Sequence, residues 1–190
     1  MPRAGLIPAT VTEAAADLAD EISPTQLNMT VVANRLGVKP PSLYKHVDGL
    51  ADLQHRIAIL GATELGDALR DAMQGLSGSE ALIAAAQAVR SYVKAHPGRY
   101  AATIGATPTG PEDPLAGALE RTLNSFAAVL HGYGIDPDQQ IHAIRMLRSM
   151  LHGFATLESS NGFQMNTDVD DSFTWMVDFI DQGLRAAGAS

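Results

Sequence analysis

The fold is decided by one stretch, Met29-Thr-Val-Val-Ala-Asn-Arg-Leu-Gly-Val-Lys-Pro-Pro-Ser-Leu-Tyr-Lys-His-Val-Asp-Gly-Leu50. Val31 to Leu36 reads as a short helix. Gly37 can take the left-handed conformation that ends it. Val38 is apolar and tucks under the turn. Pro40, followed by a second proline, is pushed toward extended geometry and marks a boundary. Pro41 suits a first helical position, because its missing N–H would have no partner there. A second short helix is therefore predicted over Pro41 to Val47. Val32, Ala33, Leu36, Val38, Leu43 and Val47 fall on one buried stripe, with Ala33 small enough for the helices to cross. Two short helices, a glycine turn and a shared stripe make a helix-turn-helix. Such a motif can place its second helix in the major groove of DNA.

The same residues carry a family resemblance. The segment Leu27 to Leu53 resembles the DNA-binding segment of the tetracycline-repressor (TetR) family, through Leu36-Gly37-Val38 and Leu43-Tyr44-Lys45-His46. The specific match covers roughly residues 8 to 60. Arg145 to Phe154 also resembles a C-terminal type within the family, named for a Trp-His-Gly triplet, with Leu151 standing where the Trp would be. The resemblance implies a DNA-binding head, a helical C-terminal domain that dimerises, and a small-molecule effector.

Charge bears on that expectation. The net charge is −8, an unusual balance for a DNA binder. Residues 1 to 47 hold Arg3, Arg35, Lys39 and Lys45 against Glu13, Asp17, Asp20 and Glu21, and so are neutral. The whole excess of acid follows residue 47. A neutral head can approach phosphate, and an acidic body would repel DNA and favour one orientation. No apolar run of about 18 residues predicts a membrane span, and the start Met-Pro-Arg-Ala-Gly-Leu lacks the pattern of a signal peptide. There are no cysteines, which excludes disulfides and thiolate metal sites. A cytoplasmic protein is expected.

The rest of the chain reads as helix throughout. Val11, Ala14, Ala15, Leu18, Ala19 and Ile22 form one stripe, with Pro8 in the first turn and Ser23-Pro24 as the stop. Thr30 is the expected N-cap of the next helix. Asp48 is expected to cap a long helix from Gly49 to Gln74, whose Gly61 and Gly66 would allow bending or close contact. Ser77-Gly-Ser-Glu80 has the form of a capping box. Further helices are predicted up to His96-Pro97, over Arg99 to Ile104, after Asp113-Pro114, after Asp136-Pro137, and from Thr167 or Asp168 to Gly188. No strand alternation or repeat is present. The fold class is all-α, with about nine helices: a helix-turn-helix head over residues 1–47 and an effector-binding and dimerisation domain over 48–190.

The last two helices carry more apolar surface than one core needs. Phe173, Met176, Val177, Ile180 and Leu184 make the main stripe of the final helix, and Trp175 and Phe179 lie beside it. Met146, Met150 and Leu157 likewise lie beside the stripe of the preceding helix. A widened apolar face implies a second partner, and the candidate is a copy of the same chain, two helices pairing with two. A larger internal core is the alternative.

Catalytic patterns are missing. None of the six histidines is spaced i, i+4 with another, and no His-Glu-x-x-His, Gly-x-Ser-x-Gly, phosphate loop or dinucleotide fingerprint occurs. No catalytic residue, metal or cofactor is expected. Tyr100, Phe126, Met146 and His152 are candidate cavity residues for an effector, but plain core is the better reading of each.

In the head, Lys39, Ser42 and Lys45 should face the groove, the lysines donating to guanine or phosphate and the serine to either kind of base. The resemblance implies phosphate contacts for Tyr44, His46 and Thr30. Pro40 stands where the family often has a polar reader, so only an apolar touch to a thymine methyl is expected there. Leu50 stands where a phosphate-holding lysine is common. The expected function is that of a homodimeric repressor that leaves a palindromic double-stranded operator when its effector binds. The alternative is a helical ligand-binding or adaptor protein without DNA binding.

Overall fold

A computed structural model of the chain describes residues 6–189. The reading of the first residues as free of a signal, and the charge of Arg3, lie outside that range. The described residues are all-helical, with no strand. The α-helices are α1 (Pro8–Ile22), α2 (Met29–Arg35), α3 (Leu50–Ala72), α4 (Gly78–Ala95), α5 (Pro97–Thr103), α6 (Pro114–His131), α7 (Pro137–Ser159) and α8 (Val169–Gly188). Two short 3-10 helices, Pro24–Gln26 and Pro40–Lys45, complete the set. The helices form two compact units. One comprises the chain up to Ala62 together with Ala95–Ala116; the other comprises Thr63–Lys94 together with the chain from Gly117 onward.

In the first unit, α1, α2, the Pro40–Lys45 helix and the start of α3 close over one apolar cluster. Val11, Ala15 and Leu18 of α1 meet Val32 and Ala33 of α2, Leu43, Val47, and Leu53 and Ile57 of α3. Ser23 ends α1 at a φ of +77°, with its N–H returned to the Ala19 carbonyl. Gly37 takes the left-handed φ of +65°, and Val38 N–H reaches the Ala33 carbonyl at 3.0 Å. Two sequence expectations need correction. The N-cap of α2 is Asn28, not Thr30: its Oδ1 accepts the N–H of Thr30 and of Val31, each at 3.1 Å. Asparagine is among the best N-caps, worth about 1 kcal/mol, and the helix starts at Met29, two residues before the predicted Val31. The second helix of the motif is also not an α-helix over Pro41–Val47. It is a 3-10 helix, Pro40–Lys45, in which Ser42 N–H bonds the Lys39 carbonyl at 2.9 Å and His46 N–H the Leu43 carbonyl at 2.8 Å. Pro40 and Pro41 lack donors that the first turn of either helix type leaves unpaired, so they do not choose between the two, and a run of six residues is short enough for the 3-10 pattern.

The aspartates that precede α6, α7 and α8 behave as caps. Asp113 Oδ1 accepts the Leu115 N–H at 3.0 Å, Asp136 Oδ1 the Asp138 N–H at 2.8 Å, and Asp168 Oδ1 those of Asp170 and Asp171. The Thr109 and Leu115 backbone donors hold the Asp113 carboxyl well below the usual carboxylate range. Among the described residues, no N–H of α3 donates to the Asp48 side chain; its own N–H is received by Asp52 Oδ2 at 2.9 Å.

The second unit has an apolar core of Leu82, Ala86 and Val89 from α4, Phe126 and Leu130 from α6, Leu147 and Leu151 from α7, and Phe173, Val177 and Ile180 from α8. One charge network reaches into it, with Asp170 and Lys94 at its exposed end. Arg90 of α4 is only 6% exposed. Its Nε and Nη2 donate to the two oxygens of Glu158 at 2.6 and 2.8 Å, and Nη2 also reaches Asp170 at 2.6 Å. The guanidinium carbon lies 4.5 Å from the Phe173 ring centre and 5.8 Å from that of Phe154. Lys94 adds a third donor to Glu158 at 2.6 Å. Removing one partner of such a network leaves a desolvated charge unpaired, which costs more than the pair contributes.

The network has a pH signature. Hydrogen bonding from Arg90, outweighing the opposing effect of burial, holds the Glu158 carboxyl below its ordinary value. A carboxylate lowered in the folded state contributes stability that is complete above its unfolded pKa, about 4.3, and is lost as pH falls through the folded value. Glu158→Gln should therefore lower the urea-unfolding free energy at pH 7 by about 1–3 kcal/mol. The gap from wild type should shrink below about pH 4. A gap equal at pH 7 and pH 3 would contradict the assignment.

Candidate nucleic-acid interface

The Pro40–Lys45 helix presents its side chains in rows, because a 3-10 helix repeats about every three residues and positions i and i+3 eclipse. One row is Pro40, Leu43 and His46. Leu43 is 0% exposed and anchors that row to the core, and Pro40 and His46 beside it are half-buried. Burial of Leu43 sets the rotation of the helix. A second row, Lys39, Ser42 and Lys45, is thereby turned outward: both lysines are exposed and Ser42 between them is half-buried. Tyr44, 58% exposed, stands on the third row after Pro41.

The charges around this row are sorted by pairing. Arg35 of α2 is bound to Glu21 of α1 through both guanidinium nitrogens, one bond at 3.0 Å. Hydrogen bonding from Arg35 is the largest influence on Glu21 and lowers its pKa. Asp17 pairs with Arg99, and Asp20 with His96 and Arg99. No carboxylate among the described residues pairs with Lys39 or Lys45. Three of the four acidic residues of α1 are thus satisfied within the unit, and the two lysines of the outward row keep their charge for another partner. Thr30 is exposed in the first turn of α2, next to the N–H groups that Asn28 caps, and Leu50 is half-buried at the start of α3.

The structure brings Lys39, Ser42 and Lys45 onto one face and places Tyr44 and Thr30 exposed on the same unit. Asn28 carried no mark in the sequence, although its residue type was the available signal.

In the second unit, α8 has two apolar faces. Phe173, Met176, Val177, Ile180 and Leu184 are buried, while Trp175 and Phe179 are 69% and 58% exposed. The two exposed rings stack, with centres 5.6 Å apart and planes at 15°. On α7, Met146 and Leu157 are exposed and Met150 is half-buried. Of the candidate cavity residues, Tyr100 falls in the first unit and is buried; Phe126, Met146 and His152 fall in the second, respectively buried, exposed and half-buried. A shallow groove of about 320 Å³ in the second unit is lined by Met73, Leu76, Asn124, Ala128 and Val129 among others. No described helix is long and apolar enough to cross a membrane.

Comparison with known proteins places this geometry. The family model described as tetracyclin repressor-like, C-terminal domain, matches residues 82–180. The uncharacterized HTH-type transcriptional regulator Rv0681 of Mycobacterium tuberculosis is 36% identical over 92% of this chain and 80% of its own length. Among solved structures, a TetR variant from Acinetobacter baumannii in complex with minocycline superposes with a TM-score of 0.73 at 21% identity, covering 98% of this chain and 100% of that one. BioQ bound to its natural double-stranded DNA operator, a protein whose own structure is from Mycobacterium smegmatis, superposes with a TM-score of 0.70 at 20% identity, covering 96% and 99%. At such identities the two structures establish the fold. The family match and the regulator Rv0681 establish more: the chain belongs to the tetracycline-repressor family of helix-turn-helix transcriptional regulators.

Proposed function

We propose that this regulator is a homodimeric repressor that binds a palindromic operator and leaves it when a small molecule binds the second unit. The observation that carries the reading is the row Lys39, Ser42, Lys45, turned outward by the burial of Leu43 and left without carboxylate partners. Lysines on such a row suit guanine acceptors or phosphates, and Ser42 between them suits either kind of base. Tyr44, Thr30 and the open edge of His46 serve the backbone phosphates. Pro40 offers only an apolar edge, suited to a thymine methyl. The operator bound by BioQ and the minocycline bound by the A. baumannii protein support the two ligand classes, DNA and a small organic effector.

The dimer follows from the exposed apolar faces of α7 and α8. Met146, Met150, Leu157, Trp175 and Phe179 would pair with their copies about a twofold axis and present two heads to two half-sites. A helical adaptor that has lost DNA binding would keep the dimer and lack the operator.

Two measurements test this reading. Duplexes selected from a random pool should yield a palindrome bound in a salt-dependent way. On it, Lys45→Ala should cost roughly ten-fold in affinity, with a salt slope reduced by about one if the contact is to phosphate and relaxed specificity if it is to guanine. Unchanged binding removes Lys45 from the interface, and a folded dimer that selects no palindrome favours the adaptor. Separately, Phe179→Glu should give a monomer by light scattering with helicity retained, because the buried row of α8 is untouched. An intact dimer would place the interface elsewhere.

A further inference from the structure

Three chain crossings join the two units, and they are not alike. At residues 62 and 63 the chain passes inside α3, and at 116 and 117 inside α6, so both are continuous helix. The third, between Lys94 and Ala95, lies in the last turn of α4, and His96, directly after that helix, leaves helical geometry, at φ −133° and ψ 59°. This joint is held by Asp20 of α1. One carboxylate oxygen accepts the N–H of Gly98 and of Arg99, each at 2.8 Å. The other lies 3.1 Å from His96 Nδ1 and 3.1 Å from Arg99 Nε. Asp17, one turn earlier on α1, pairs with the same arginine.

The fit around the joint is closed at the backbone. A Cβ on Gly98 would lie 2.1 Å from the carbonyl of Ala19, so α5 starts in direct contact with the main chain of α1. A Cβ on Gly61 of α3 would lie 2.8 Å from the Arg99 carbonyl oxygen. The first turn of α5 is thus held by α1 and α3, the two helices that also enclose Leu43 and Val47. Asp20 has a role beyond helix capping at this place. Its two oxygens bind the non-helical joint and the helix after it, while its own helix supplies Val11, Ala15 and Leu18 to the core of the helix-turn-helix.

We infer that Asp20 is a positioning residue for operator binding: its carboxylate fixes the DNA-reading head to the His96 joint, and so sets how the two heads of a dimer are spaced. It does this without touching DNA. The inference rests on the proposed palindrome binding.

The test uses the full-length protein, its selected palindrome, and a duplex carrying one half-site. Asp20→Ala should lose about ten-fold in affinity for the palindrome, a coupling of ordinary size between sites, and change less than about two-fold on the half-site, which needs only one head. Asp20→Asn keeps an oxygen for the Gly98 and Arg99 amides but loses the charge, and should fall between the two. If Asp20→Ala does not reach wild-type helicity, the comparison is made with Asp20→Asn and His96→Ala. Equal palindrome affinity for folded variants and wild type overturns the inference, as does an equal loss on both duplexes. If the wild type itself selects no palindrome, the operator reading fails and this inference with it; if the wild type binds and the variants match it, only the role of Asp20 fails.

Discussion

The burial of Leu43 is the constraint on which the head depends. A segment of six residues with two prolines cannot orient itself by propensity, since it is too short to be stable alone. One fully buried side chain, set between α1, α2 and α3, fixes its rotation, and the 3-10 repeat then determines every other direction. The outward row and the inward row are two consequences of the same contact. Gly37 supports it from the other side: with its left-handed φ the chain reverses within Leu36 to Val38, and nothing lies within 4 Å of where its Cβ would be. The glycine is needed for backbone conformation and not for space.

Electrostatics resolves the apparent conflict between a net charge of −8 and a DNA-binding fold. What matters is which charges are already answered. On α1, Asp17, Asp20 and Glu21 have cationic partners, and their fields are largely cancelled at short range. Lys39 and Lys45 are not cancelled. A count of charges along the chain makes the head neutral; the pairing makes its outward row positive. In the proposed binding mode, phosphate approaching the head would meet that row first.

The sequence made the helices legible where they are long and periodic. The stop at Ser23-Pro24, the turn at Gly37, and the starts at Asp113, Asp136 and Asp168 follow from local chemistry and occur as the residues suggest. Three local assignments went the other way. Asp48 was expected to cap α3, but its own N–H is received by Asp52. Thr30 looked like a cap because it precedes Val31, but the helix begins at Met29 and Asn28 does the capping. Paired prolines read as an α-helical start gave a 3-10 helix, a difference of one hydrogen-bond register that residue preferences barely distinguish. In the candidate interface the exposure of Lys39 and Lys45 was legible, because Leu43 and Val47 are the apolar residues among them, whereas Tyr44 was marked only by the family resemblance. The Glu21–Arg35 pair was not, and neither was Asp20, whose partners lie 76 to 79 residues away. Partners at that separation are set by tertiary packing, which leaves no periodic trace.

The Arg90 network bears on the proposed dimer face in a way that its stability contribution does not capture. A buried ion pair is weak evidence for stability, and well-packed apolar residues often serve as well. What the arginine adds is geometry. Its fork binds Glu158 near the end of α7 and Asp170 in the first turn of α8, while Phe154 and Phe173 lie against its faces. Apolar contacts between two helices permit small slides, whereas a bidentate pair with a second carboxylate has one arrangement. The exposed residues Leu157, Trp175 and Phe179 lie on these same two helices. A twofold interface must match itself, so a slide of α8 along α7 would misplace the aromatic pair on both copies at once. A buried arginine in an otherwise apolar core is intelligible on these terms: it holds α7 and α8 in the register that the proposed self-complementary surface would require.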